Sequence, residues 1–422
     1  MLRPALPRPS HAQRVVLGLG TTQTLGWASS YYLPAMLAAP MALDLGLATH
    51  WVLAAFSWAL VVSALMGPVA GWAIDRWGGR PVMSLASVGF AAGLGLLSQA
   101  QGAGQLFLAW SLLGMAMAGG LYEAAFATVV KFDPAGARRA ITGITLMGGL
   151  ASTVGWPLTA WLTQELGWRG ACLVWAAVHV CVNLPIHLWL RPQSVQPDMA
   201  QANSAQALSS SLSSSPGSLP LPAYHHRRAA ALLASTFALT WFISTAMAAH
   251  LPVLLQAQGM TLATAVWLGS LMGPAQVLAR MAEYSLLKHV HPLLSARLAA
   301  AMHPLAALLL LALGAPAGVV FVLMHGAGNG VLTIAQGSLP LVLFGPQGYG
   351  LRQGMLMLPA RFVQALSPLL FGLALQSWGA QALWLTAALG AACLGALLCL
   401  PKVPPLVPPQ LVALPAGQKK QV

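Results

Sequence analysis

The apolar run 51–74 closes in Gly71-Trp72-Ala73-Ile74-Asp75-Arg76-Trp77-Gly78-Gly79-Arg80, and a second apolar run opens at once, from 81 to 100. Each run has about the 20 residues that span a bilayer core of roughly 30 Å. The charges between them are packed into one short turn. This alternation of long apolar stretch and charged turn repeats along the whole chain. Apolar runs fall at 15–42, 51–74, 81–100, 105–130, 140–162 and 168–190, then at 229–256, 262–285, 294–314, 317–343, 353–376 and 380–400. With 58% hydrophobic and 6% charged residues among 422, water could not solvate the folded surface, so the expected fold is an all-α integral membrane protein of twelve transmembrane helices.

The runs group as six, a gap, and six. The gap, Arg191 to Arg228, is rich in Ser, Gln and Pro and cannot build a core. The expected organisation is therefore an N-terminal six-helix bundle (1–190), a cytoplasmic linker (191–228), a C-terminal six-helix bundle (229–400) and a cytoplasmic tail (401–422). The two bundles echo each other as a parallel repeat: Leu33-Pro34 matches Leu251-Pro252, Gly67-Pro68 matches Gly273-Pro274, and Phe132-Asp133-Pro134 matches Phe344-Gly345-Pro346. With both termini cytoplasmic, eighteen of the twenty Lys and Arg fall on the cytoplasmic side, Arg169 alone is periplasmic and Arg361 lies deep in a span. That bias orients helices during insertion and points to the inner membrane of a bacterial-type cell.

The formal charge of +13 is not a nucleic-acid footprint, because the basic residues stand singly or in pairs between apolar runs and form no stripe. Cys172, Cys181, Cys393 and Cys399 lie inside spans without CxxC spacing and read as small hydrophobes. Arg3, Arg8 and Arg14 precede a run too long for a cleaved signal peptide, which is read as a retained first span. A P-loop, G-x-S-x-G and H-E-x-x-H are all missing from the sequence, so no ATP site, catalytic residue, metal or cofactor is expected. The glycine-rich run His325 to Gly330 has neither a preceding strand nor an acidic residue at dinucleotide-binding distance.

The turn Gly71 to Arg80 has the pattern G-x-x-x-D-R-x-G-x-R and resembles the signature loop of the major facilitator superfamily. Its Gly71, Asp75, Arg76, Gly79 and Arg80 would form a cytoplasmic gate, with Asp75 pairing either with arginines or with the positive N-terminus of another helix. Arg138-Arg139-Ala140-Ile141-Thr142-Gly143, followed by Gly148-Gly149 and Ser152, is similar to the start of the fifth helix in the monocarboxylate and oxalate/formate branch. Leu278-Ala279-Arg280 partly matches that branch's eighth-helix Phe-Ala-Arg, which would place a substrate carboxylate on Arg280. Two features depart from the branch: the first span lacks a lysine, and Gln276 stands where those carriers place an Asp. Arg280 also lies near the cytoplasmic end of its span, where an ordinary loop charge would stand. The same sparse pattern is similar to bacterial facilitators that export toxic compounds, trivalent arsenicals included.

These resemblances imply a monomeric secondary transporter of a small solute, working by alternating access. A carboxylate carrier, an exporter of arsenicals or drug-like molecules, and a non-transporting sensor of the same fold all fit the sequence. Charge inside the spans narrows the site. A charge at a helix centre costs about 2.5–3.5 kcal/mol even on mild scales. Glu123 and Arg361 each sit roughly 12 to 14 Å from the cytoplasmic surface at 1.5 Å per residue. They are expected to approach each other across the bundles, with protons coupled through Glu123. His325 and Asn329 share a face of the tenth span, either toward solute or bonded between helices. His179, Asn183 and His187 form a stripe on the sixth span that reads as contacts with neighbouring helices. Tyr31, Tyr32 and His250, each close to a proline, could face solute near the periplasmic mouth.

Overall fold

The computed structural model describes residues 11–134, 136–190, 223–286 and 290–400. The first ten residues, residues 191–222 of the expected linker, Lys288 and the tail 401–422 lie outside the described residues. The N-terminal helices are α1 (His11–Ala28), α2 (Leu33–Asp44), α3 (Thr49–Trp77), α4 (Gly79–Ser98), α5 (Ala103–Gly120), α6 (Tyr122–Phe132), α7 (Ala137–Gly148), α8 (Ala151–Val178) and α9 (Leu184–Trp189), with a π-helical turn His179–Asn183 between the last two. The C-terminal helices are α10 (Ala223–Ala257), α11 (Leu262–Ser270), α12 (Met272–Leu286), α13 (Pro292–Leu313), α14 (Gly318–Phe344), α15 (Tyr349–Trp378) and α16 (Leu383–Leu398). Among the described residues the chain has no strand. Helix α10 starts at Ala223, so 223–228, read from sequence as linker, continue a helix instead: backbone hydrogen bonds outlast the apolar pattern there.

Among the described residues, eight stretches are long and apolar enough to cross a membrane. Two of them, Ala137–Trp189 and Tyr349–Leu398, run to 53 and 50 residues, about 80 and 75 Å of helix and more than twice a bilayer core. Each turns at a glycine of positive φ, Gly167 at 70° and Gly379 at 54°, a conformation L side chains rarely adopt. Other expected spans are continuous in sequence yet broken in the fold. The first breaks between α1 and α2, where Pro34 starts the second piece; the fourth breaks at Leu121, and the eighth at Leu271. Prolines inside α3, α10, α13, α14 and α15 are tolerated because neighbouring helices surround the freed backbone groups.

The burial pattern differs from that of a water-soluble protein in its outer surface. Large apolar side chains such as Trp51, Leu65, Trp72, Leu173, Trp267, Leu298, Leu373 and Trp384 lie exposed, while Gln23, Arg280, Gln353, Arg361 and Gln364 are buried. Lipid tails solvate the former at no cost, and the latter must find partners inside. The largest core cluster belongs to the N-terminal helices and takes in Tyr349 and Ala365 of α15; two others belong to the C-terminal helices.

Candidate functional site

The break at Leu121 makes the site. Its backbone is extended, so α6 starts afresh at Tyr122 and puts Glu123 in a first turn, where the helix dipole favours an anion. The carbonyl of Gly120 accepts a hydrogen bond from Gln23 Nε2 at 2.8 Å. Opposite, Arg361 of α15 donates from Nη2 to Glu123 Oε1 at 2.8 Å, and the side chains are only 5% and 14% exposed. Arg361 Nη1 donates to Gln364 Oε1 at 2.9 Å, Gln364 Nε2 donates to Tyr31 Oη at 3.0 Å, and Tyr31 meets Thr245 Oγ1 at 3.3 Å. On the other flank Gln336 Nε2 donates to Glu123 at 3.3 Å while its oxygen accepts from Trp241 Nε1 at 3.1 Å. This chain of contacts passes repeatedly between N- and C-terminal helices. A buried ion pair of this kind resists the loss of either partner far more than it stabilises the fold.

Arg280 is enclosed, at 3% exposure, rather than standing in a loop. Its Nε donates to Gly330 O at 3.2 Å, Nη1 to Thr145 O at 2.8 Å and Nη2 to Gln276 Oε1 at 3.3 Å, and a side chain at Gly149 would collide with the guanidinium. Among the described residues no Asp or Glu lies within ion-pair distance of it. His325 turns toward α13 and meets His303, Nδ1 to Nδ1, at 3.2 Å, an interhelical contact. Asn329 donates to Ser244 Oγ at 3.0 Å and also lines a cavity of about 10 Å³ beside Trp241 and Gln336. His250 bonds the Pro368 carbonyl at 2.7 Å, joining α10 to α15. Tyr32 packs edge-on against Tyr31 and Trp156. The stripe His179, Asn183 and His187 holds α1 and α4: His179 meets Ser29 at 2.7 Å and His187 meets Ser87 at 2.8 Å.

The end carrying Arg76, Arg80, Arg138 and Arg139 is latched at two places. Asp75 meets a helix N-terminus: Gly350 N–H and Leu351 N–H, in the first turn of α15, donate to its oxygens at 2.9 and 2.8 Å. Gly67 and Gly71 of α3 cross Gly350 and Gly354 of α15 backbone to backbone; a Cβ at Gly354 would lie 2.5 Å from the Gly67 oxygen. Gly79 packs where any side chain would strike Thr128, and Lys131 Nζ donates to the Ile74 and Asp75 carbonyls that end α3. Arg76 lies over Trp72, 5.9 Å from the ring.

The second latch joins α7 to α12. Arg138 Nη2 donates to Glu283 at 2.9 Å and Nη1 to Val290 O at 3.0 Å, while Arg139 Nε donates to Tyr284 Oη at 2.9 Å. His291 next to it caps α13, and burial with the nearby Arg138 and Arg297 pushes its pKa below the ordinary histidine value, keeping Nδ1 free to accept from Leu293 N–H. Glu283 is 4% exposed and Arg138 27%, so Glu283→Gln is expected to cost less than the about 3–5 kcal/mol of a fully buried pair. The expected readout is faster alkylation of a cysteine placed at the buried Thr142 in that variant; an unchanged rate would show that the pair does not hold this end shut.

Several participants escape sequence reading. Gln364 carries a usable signal, a polar residue three after Arg361 and so on the same helix face, and Gln336 stands seven after Asn329. Trp27, Trp241 and Glu283 carry none, since tryptophan is common in apolar spans and Glu283 reads as a helix-end charge.

A helical membrane protein whose N- and C-terminal helices meet around a buried ion pair, and which is latched at its arginine-rich end, has the build of a solute transporter. The sequence profile of the Major Facilitator Superfamily matches residues 19–344, about three quarters of the chain, and the chain belongs to that superfamily. Among solved structures, the human organic anion transporter MFSD10 (TETRAN) aligns over 93% of this chain and 100% of its own, with a TM-score of 0.70 and 18% identity. FucP, a superfamily transporter in the outward conformation, aligns over 91% and 98% with TM-score 0.67 and 12% identity. The proton:xylose symporter XylE, bound to 6-bromo-6-deoxy-D-glucose, aligns over 93% and 96% with TM-score 0.69 and 11% identity. At such identities the likeness is one of fold. A search of curated proteins returned no match.

Proposed function

We propose that the chain is a proton-coupled secondary transporter that carries a small carboxylate across the inner membrane by alternating access. In this reading twelve helices form two six-helix bundles joined by residues 191–222, with both termini cytoplasmic and the protein monomeric. The observation that carries it is the Glu123–Arg361 pair, which sits between N- and C-terminal helices in surroundings where neither charge is otherwise affordable. A proton on Glu123 and an anion at Arg361 together leave the buried charge unchanged while freeing the two sides from each other. Arg280, a buried cation with no carboxylate in ion-pair contact among the described residues, supplies further positive potential for an anion. Among the described residues, the hydrogen bonds that cross between the two sides run from Tyr31–Thr245 at mid-height to the arginine-rich end, which positive-inside charge makes cytoplasmic. This conformation is then shut toward the cytoplasm, and rocking breaks the two latches.

The test is uptake into proteoliposomes of a panel of carboxylates, arsenite and drug-like cations at two pH values. The expected result is saturable carboxylate uptake, faster with an inward proton gradient, and reduced by at least about tenfold in Arg280→Gln through the loss of a buried charge partner. Flux of arsenite or cations alone would reject the carboxylate reading, and binding without any flux would favour a sensor.

A further inference from the structure

We infer that the solute carries an aromatic ring as well as its negative charge, and that Trp27 and Trp241 clamp that ring beside Arg361. This rests on the carboxylate reading above and narrows it. Trp27 of α1 and Trp241 of α10 lie parallel to within 5°, with ring centroids 6.2 Å apart. The Arg361 guanidinium carbon is 5.8 Å from one ring and 5.1 Å from the other. Tyr31 stands edge-on to both, at 5.1 and 6.5 Å, and Tyr122 lies 5.1 Å from Trp27. Two indoles drawn from both sides of the molecule thus flank one cation, and two tyrosine rings back them, where aliphatic side chains would fill the space as well.

Trp27 Nε1 adds an independent observation. It is buried and has no hydrogen-bond acceptor, although an indole N–H can only donate and an unmet buried donor is costly. A carboxylate oxygen entering beside Arg361 is the acceptor such a donor calls for. Indole faces prefer a flat π system in offset or edge contact, and the solute's ring supplies one. A cationic aromatic fits poorly: Arg361 already lies against both indoles, and the Glu123 carboxylate beside it is engaged by that guanidinium.

The arrangement also couples binding to motion. Trp27 belongs to the N-terminal helices and Trp241 to the C-terminal ones, so the gap between the rings changes when the two sides rock. The indole centroids are 6.2 Å apart, less than twice the roughly 3.5–4 Å contact distance that a ring between them would need. A ring therefore enters only as the indoles part, and the state in which they have parted is the one it stabilises.

The experiment uses the full-length protein in proteoliposomes, with benzoate, cyclohexanecarboxylate, benzyl alcohol and benzylammonium competing for uptake of labelled benzoate. Benzoate is expected to compete about tenfold better than the saturated acid, the ratio that stacking against two rings supports, and the neutral and cationic aromatics more weakly still. Trp241→Leu and Trp27→Leu should bring that ratio to about one, and Trp241→Phe should restore most of it. A wild-type ratio within twofold, or a ratio unchanged in both leucine variants, overturns the clamp even if a variant fails to fold, because the first comparison needs no variant. Uptake of cyclohexanecarboxylate equal to that of benzoate sinks the clamp alone, whereas absence of uptake for every acid sinks the carboxylate reading beneath it.

Discussion

Transport by a Glu123→Gln variant is expected to lose its dependence on the proton gradient while retaining exchange of solute for solute. The amide keeps the shape of the side chain and its acceptor for Gln336 but can neither release a proton nor balance Arg361. The variant leaves a buried guanidinium without its counter-charge, a change that costs about 3–5 kcal/mol where both groups are enclosed. Its melting temperature in detergent should fall accordingly. Replacing both residues, Glu123→Gln with Arg361→Gln, removes the uncompensated charge and should recover most of that stability without recovering proton coupling. Uptake in the single variant that still responds fully to pH would reject Glu123 as the coupling group. A double variant no more stable than the single one would reject the account of the pair.

Gly71→Val is expected to open the arginine-rich end. Gly71 and Gly350 meet with no room between their backbones, and any Cβ at Gly71 would overlap the Gly350 carbonyl. Helices α3 and α15 must separate to accept the side chain, which carries Asp75 away from the N–H groups of Gly350 and Leu351. Both losses act on one face, and charge-assisted bonds to a helix N-terminus contribute about 1.5–3 kcal/mol each. Distances between spin labels on the ends of α3 and α15 should shift from a short to a long population, by at least about tenfold in ratio. Asp75→Asn keeps the glycine crossing and should shift the same populations less. A short-distance population that survives in Gly71→Val would mean that the crossing does not depend on bare backbone.

How much of this was readable in advance follows from what each feature depends on. The apolar runs, the basic turns and the glycines of the 71–80 turn are properties of local sequence, and their meaning is set by the solvent: a lipid core makes unpaired backbone and unneutralised charge costly. Glu123 and Arg361 stood out for the same reason, because each was too costly to be incidental, and their matching depths left few partners for either. The breaks at Leu121 and between Ala28 and Leu33 were not readable, since the small and polar residues around them fit a continuous membrane helix equally well. They depend on which neighbour takes up the freed carbonyls, as Gln23 does for Gly120.

By itself the sequence determined a membrane solvent, the side on which positive charge collects, and two ionisable groups placed at one depth inside it. Which way each helix turns its faces was decided only by tertiary packing. Within lipid, apolar surface gains little by facing one helix rather than another, so a span that is apolar all round carries no periodic mark of its inner side. That is why His325 could be placed on the right helix yet not assigned its partner His303, and why Trp27 and Trp241, two tryptophans among fifteen, become a facing pair only once α1 and α10 are brought together.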